Sequence, residues 1–296
     1  MRIGNRDFDM ENNRIYVMGI LNVTPDSFSD GGRFDKKDAA LFAAEEMVKQ
    51  GADIIDVGGE STRPGTRPGA ILVSEEEEKE RVCSIIEAIK ERFDIPVSLD
   101  TYKAAVMEEG IRSGADLAND IWGLRYDEYI NKRFGESDMA AVVGKAGIPI
   151  VAMHNDLCGR SLVERDYTGI SEQAKNDVVL RVKEGLLHTI ELAEKYGIAK
   201  ENIILDPGVG FAKTQEENLQ TIKGLPEICR MGCEVLLGVS RKSVIGNALN
   251  LPVNEREEGT MALSVLGASM GCKFVRVHDV EKNVRALRMY EAVLNS

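Results

Sequence analysis

The chain has 296 residues, 43% of them hydrophobic and 29% charged, a globular mixture long enough for one (β/α)8 barrel or two average domains. Its net charge of −12 argues against recognition of nucleic acid or anionic membrane through the overall field, so an anionic ligand would need a local cationic island. Residues 1–13 lack the apolar core of a signal peptide and no run of about 18 apolar residues occurs, which together point to a cytoplasmic protein with no membrane contact.

The first predicted strand covers residues 15–21 and a helix begins near Asp38. Strands at 53–57 and 96–99 follow, separated by a helix opened by Ser74. The spacing Ser74…Glu77 reads as a capping box, and Val82, Ile85, Ile86 and Ile89 fall on one face of that helix. Further strands are expected at 116–119, 148–153, 203–205, 235–239 and 274–277. Their helices begin near Lys103, Met139, Ser171, Glu216, Glu255 and Val280. Each strand is nearly continuously apolar, as a parallel strand buried on both faces must be. Gly51, Gly114, Gly147, Gly197 and Gly271 follow helices, where a left-handed residue turns the chain toward the next strand. Residues 124–138 read as a surface insertion after strand four, and 75–80 as an exposed acidic first turn. Of five scattered cysteines only Cys229 and Cys233 are close in sequence, and all five are expected to be free thiols.

Eight strand–helix rounds predict a single (β/α)8 TIM barrel over 1–296, with mobile glycine-rich loops after strands one and two (30–32 and 63–69). In such a barrel chemistry gathers at the C-terminal strand ends. All eight ends carry polar groups: Asn22; Glu60 to Arg63; Asp100; Asn119 and Asp120; His154 and Asn155; Asp206; Ser240 to Lys242; Arg276 and His278. Arg63, Lys242, Arg276 and His278 form the cationic island suited to a phosphate group. The competing reading pairs Arg276 and His278 with structural carboxylates such as Asp279. Asp100, Asn119 and Asp206 are acceptor-rich groups that suit the N–H edge of an aminopyrimidine; singly, each could instead serve the barrel's own backbone. Gly208 and Gly210 lack the third glycine of a dinucleotide fingerprint. Trp122 reads as packing, His188 as a surface or core histidine, and His154 as a mouth residue or a strand cap.

Several runs carry a family resemblance. MGILNVTPDSFSDGG (18–32) and DIIDVGGESTRPG (53–65) resemble the two signatures of dihydropteroate synthases. SLDT (98–101), ANDI (118–121), VAMHN (151–155), LDPGVGFAK (205–213), GVSRKS (238–243) and RVHD (276–279) are similar in family order. The family joins a dihydropterin-methyl diphosphate to p-aminobenzoate in folate biosynthesis and is the target of sulfonamides. The resemblance implies that Asn22 places Mg²⁺ against the diphosphate, with Asp30 reaching the metal or its water shell. It implies that Thr62, Arg63, Arg276 and His278 hold the diphosphate. Asp100, Asn119, Ile121, Met153, Asp206 and Lys242 would take the pterin. Phe28, Thr62, Pro64, Phe211, Lys242 and Ser243 would take p-aminobenzoate. Catalysis would rest on Asn22, Asp30, Arg63, Lys242 and Arg276, and a homodimer formed through outer helices is expected, with Met261, Leu263 and Leu266 as candidates. Two departures from the family pattern are the 155–159 run and the length of 124–138. The alternatives are a barrel that moves methyl from a tetrahydrofolate to a corrinoid, which needs no diphosphate grip, and an inactive pterin binder, which would have lost Asn22, Lys242 or Arg276.

Overall fold

Eight parallel strands close into one barrel in chain order, the eighth pairing with the first. They are β1 (Tyr16–Asn22), β2 (Ile54–Gly58), β3 (Val97–Asp100), β4 (Leu117–Asp120), β5 (Ile150–Met153), β6 (Ile203–Asp206), β7 (Glu234–Leu237) and β8 (Phe274–Val277). The barrel helices are α1 (Arg33–Lys49), α2 (Glu75–Arg92), α3 (Ala104–Arg112), α4 (Asp138–Ala146), α5 (Val178–Lys195), α6 (Gln215–Lys223), α7 (Glu257–Ser269) and α8 (Val280–Leu294). The computed structural model describes residues 1–24, 33–60, 73–158, 161–165 and 170–296. The two glycine-rich loops, with Phe28, Asp30, Thr62, Arg63 and Pro64, lie outside the described residues.

The eight expected strands form within two residues of their predicted bounds, and nearly every strand residue is buried. Helix α1 starts at Arg33, ahead of the expected Asp38. The five glycines predicted to follow helices all hold φ between 68° and 108°. Val82, Ile85, Ile86 and Ile89 are buried along α2, where each aliphatic side chain contributes roughly 1.5–3 kcal/mol. Ser74 caps α2 by accepting from the Glu77 N–H, but the Glu77 carboxylate turns to Arg81 and leaves the box half-made. The complete capping box belongs to Thr214 and Glu217 on α6.

Two expectations are corrected. Glu78 is buried rather than part of an exposed turn, because it and Glu60 are both neutralised by Lys103, at 2.6 and 2.7 Å. Residues 124–138 are a surface insertion only in their second half: Asn131, Lys132, Phe134, Glu136 and Asp138 are exposed, while Leu124, Arg125, Asp127, Glu128 and Tyr129 are buried around a short helix, Tyr126–Tyr129. Their carboxylates are met locally, Asp127 by the Asp138 N–H at 2.7 Å and Glu128 by the Gly135 N–H at 2.9 Å. Trp122 packs there against Tyr126 and Tyr129, as expected of a packing residue. As expected, Cys83, Cys229, Cys233 and Cys272 are free thiols, and Cys229 shares a thiol hydrogen bond with Cys272 across the fold.

Strand period explains what the barrel encloses. Met18, Ile54, Leu117, Val151, Ile204, Leu236 and Phe274 fill its interior, sealed from below by Ile3 and Phe8 of an N-terminal hairpin. Successive side chains alternate faces, so residues two and four further along also point inward, toward the C-terminal mouth. No described helix is long and apolar enough to cross a membrane.

Candidate active site

Two residues above the interior apolar layer come Ile20, Asp56, Asn119, Met153, Asp206, Gly238 and Arg276, and beyond them Asn22, Gly58 and His278. Strand β3 contributes Ser98 and then Asp100 by the same alternation. Register sets them level: Asn22 pairs with Gly58, Gly58 with Asp100, and Asp100 with Asn119. Met153 is paired with Asp206 in the same way.

A cavity of about 260 Å³ opens at this mouth. Its wall includes every described site residue expected from the sequence: Asn22, Asp100, Asn119, Ile121, Met153, Asp206, Phe211, Lys242, Ser243, Arg276 and His278. Ile20, Gly210, Gly238, Ser240, Arg241, Val253 and Arg256 complete it.

The floor is an ion-pair network. Arg276 donates from Nε to Asp56 at 2.6 Å and from Nη2 to Asp100 at 2.7 Å. Asp56 also accepts from Asn119 Nδ2 at 3.1 Å. The carboxylates beside Arg276 are therefore Asp56 and Asp100, not Asp279, which caps α8 through the Lys282 N–H. Burial pushes the Asp100 carboxyl up, Arg276 opposes, and the Asp56 charge adds to the rise, leaving it at about 7. Asp100 Oδ1 is buried without a hydrogen-bond partner among the described residues. An orphaned buried acceptor of this kind costs about 1–3 kcal/mol until a donor reaches it.

Asp206 lies across the mouth, with Oδ1 taking the Gly208 N–H at 2.7 Å. Burial raises its carboxyl above the usual range, against Lys242. Lys242 reaches in because Arg241 takes a left-handed turn at φ 57°. Its ammonium donates to the Val209 carbonyl at 2.6 Å and lies 4.8 Å over the Phe211 ring. Burial brings it down to about 8, Asp206 opposing and Arg276 assisting. The His278 N–H donates to Ser240 Oγ at 3.2 Å, and the Ser240 hydroxyl lies 2.9 Å from Nδ1. Donation from that hydroxyl leaves the ring proton on Nε2.

Sequence reasoning missed Asp56 and Arg256. Asp56 sits inside a strand read as apolar, and only its inward position, two before Gly58, could have flagged it. Arg256 reaches the mouth from beyond the short helix Ser243–Leu249, donating to the Leu251 and Arg241 carbonyls. His154 does not line the cavity; it follows the end of β5, its N–H donating to the Asp206 carbonyl, with its ring buried behind the wall beside Lys213 and Asp156, where burial and then Lys213 bring it down to about 3. His188 is half-exposed and meets Glu128 at 2.9 Å.

The pattern of the pterin binding enzyme family matches residues 18–278. The dihydropteroate synthase of Clostridium beijerinckii is 50% identical over 295 residues, covering 99% of each chain. That of Bacillus subtilis is 46% identical, covering 94% of this chain and 88% of its own. A Clostridium difficile dihydropteroate synthase crystallised in the presence of pteroic acid superposes with a TM-score of 0.84 at 44% identity, covering 98% and 100% of the two chains. A Xanthomonas albilineans dihydropteroate synthase with 4-aminobenzoic acid gives 0.82 at 37% identity, covering 96% and 94%. With the family pattern matching residues 18–278 and relatives up to 50% identical over nearly its full length, this chain belongs to the dihydropteroate synthases of the pterin binding enzyme family.

Proposed function

We propose that the chain condenses (7,8-dihydropterin-6-yl)methyl diphosphate with p-aminobenzoate at this cavity, giving 7,8-dihydropteroate and diphosphate for folate biosynthesis. The observation that carries the placement is Asp100 Oδ1, a buried acceptor with no donor in a wall shared with Asn119 and Asp206. A pterin edge supplies N–H donors in a row and would satisfy it.

In this reading Asp100, Asn119, Asp206 and Lys242 hydrogen-bond the pterin, and Met153 and Ile121 pack on its ring. Arg276 and His278 hold the diphosphate, joined by Thr62 and Arg63. Phe211 and Ser243, with Phe28 and Pro64, hold p-aminobenzoate. The bond from the pterin methylene carbon to the diphosphate oxygen breaks, and its electron pair leaves with the diphosphate. The resulting cation is delocalised over the pterin and favoured by the carboxylates of Asp100 and Asp206. The arylamine nitrogen then forms the new C–N bond and loses a proton. Fixed cations placed where charge develops on the leaving group provide the main acceleration. No nucleophilic side chain is required. A rate independent of viscosity without positional isotope exchange in the diphosphate would count against this dissociative order.

Mg²⁺ needs few protein ligands when a diphosphate accompanies it, and no cluster of three or more His, Cys, Asp or Glu exists among the described residues. Asn22 Oδ1, at the level of Asp100, fits as the single amide donor, with Asp30 a further acceptor by family resemblance. When bound, the ion would neutralise diphosphate charge. We assign the whole of 1–296 to one pterin-binding unit acting in the cytoplasm as a homodimer, with Leu266, half-exposed on α7, on the contact face.

The test is diphosphate release from the pterin substrate, with and without p-aminobenzoate, in Mg²⁺ and then in EDTA. Release that requires Mg²⁺ and yields dihydropteroate supports the reading. Tight pterin binding without release overturns it in favour of a non-catalytic binder or a methyl carrier.

A further inference from the structure

Lys213 belongs to the β6–α6 connection but lies outside the cavity wall. Its ammonium is held by the Gly208 carbonyl at 3.0 Å, the Phe211 carbonyl at 3.4 Å and His154 Nδ1 at 3.1 Å. An ammonium only donates, so Nδ1 accepts and the ring proton stays on Nε2, which faces Asp156 at 3.4 Å. Arg181 fixes Asp156 at 3.0 Å and is itself held by Glu217 at 2.9 Å. The His154 N–H donates to the Asp206 carbonyl at 2.8 Å, tying β5 to the same turn. Gly208 completes the arrangement: its φ is 69°, and a Cβ there would overlap the His154 carbonyl oxygen.

This turn carries two cavity groups. Gly208 orients Asp206 through its N–H, and the Phe211 carbonyl held by Lys213 sets the ring beneath Lys242. We infer that Lys213, seated on the His154 ring, is a positioning residue for pterin recognition: it fixes the turn that aims Asp206 and Phe211 into the cavity and brings a third cation toward the Asp206 carboxylate. This rests on the pterin assignment made above. The charges facing Asp206 are Lys242, Arg276 and Lys213; those facing Lys213 are Asp206, Asp156, Glu217 and Arg181. Burial raises the Asp206 carboxyl, and Lys213 is one of three cations that oppose the rise, so removing it moves the acid limb of pterin binding upward without abolishing binding.

The experiment measures kcat/KM for the dihydropterin diphosphate against pH, with pterin calorimetry and thermal melting, in wild type, Lys213→Met and Lys213→Gln. Glutamine can still donate to the two carbonyls but carries no charge. In both variants we expect KM for the pterin substrate to rise about tenfold and the acid limb to move up by about half to one pH unit, with the KM for p-aminobenzoate changing less. Recovery of wild-type behaviour in Lys213→Gln, or an unmoved acid limb in either folded variant, overturns the inference and leaves Lys213 a structural clamp. Failure of both neutral variants to fold overturns it also, by making the residue a folding requirement. A wild type that binds no pterin overturns the functional reading itself, an outcome distinct from normal wild-type binding with an unmoved limb.

Discussion

The Arg276 guanidinium donates to Asp100 at 2.7 Å while its other edge is held by Asp56 at 2.6 Å, so the residue assigned to the diphosphate is bonded to one assigned to the pterin. Asp56 also holds Asn119. One buried carboxylate thus orients a group on each half of the proposed substrate. Asp56→Asn would leave a single oxygen facing donors from Arg276 and Asn119. Breaking one side of a buried pair costs on the order of 3–5 kcal/mol, so a melting temperature lower by several degrees is expected. Steady-state kinetics should show kcat/KM for the pterin diphosphate down roughly a hundredfold, about the loss of one positioned electrostatic donor. Equal losses for both substrates would instead mean general disorder.

A narrow pH range is the second expectation. Lys242 is brought down to about 8 by burial, and its protonated form is the one that meets an acidic substrate. Binding should weaken as pH rises through that value. Burial holds Asp100 above the ordinary carboxylate range, so it gains a proton well before an exposed carboxylate would as pH falls. A protonated Asp100 loses acceptor strength, as does a protonated Asp206, whose carboxyl burial also raises, so the two carboxyls together give the acid limb. Calorimetric titration of the pterin diphosphate across about pH 5 to about pH 9 checks both limbs. Lys242→Met should make the alkaline limb shallower, the remainder coming from Lys213, which burial also brings down to about 8.

Most of the barrel was legible because a parallel strand is covered on both faces, and continuous apolar runs such as 203–205 can hardly be anything else. The strand ends were legible for the same reason: Asp100, Asp206 and Arg276 stand out against apolar neighbours. Asp56 was hidden because one acid in DIIDVGG does not announce which face it takes. Glu78 was hidden because its partner, Lys103, comes from the next strand–helix unit, and nothing in the local run distinguishes it from the exposed acids beside it. The buried first half of 124–138 misled for a related reason. Its high charge reads as surface, yet the charges pair with one another and with backbone N–H groups.

Glu128 makes that last point measurable. Burial by itself would raise its carboxyl; the His188 ring, the Gly135 N–H and Arg125 outweigh burial and bring it down to about 2. A depressed carboxylate contributes stability that is present above its unfolded value and lost as pH falls through the folded one. The contribution, on the order of 2–3 kcal/mol, should therefore disappear between about pH 4.5 and about pH 2. Thermal melts of Glu128→Gln should start lower at neutral pH and converge on wild type in acid. Curves that stay parallel across this window would show that the ion pair contributes nothing.

Arg256 gives the last prediction. Arg276 is engaged by two carboxylates and Lys242 faces Asp206, whereas Arg256 is anchored on the carbonyls of Leu251 and Arg241. It lines the same cavity as Ser243 and Phe211, the residues assigned to p-aminobenzoate. An aryl carboxylate entering there needs a cation not already neutralised by an acid, and Arg256 offers one with its position set by neutral acceptors. Arg256→Ala should raise the KM for p-aminobenzoate about tenfold, the scale of one charge-assisted hydrogen bond of roughly 1.5 kcal/mol. Pterin binding measured alone by calorimetry should stay within about twofold of wild type, a change of under 0.5 kcal/mol. Loss of pterin affinity by the same factor would place Arg256 among the residues that shape the whole mouth, since a Cβ at Gly246 would overlap its guanidinium and the two segments are packed together.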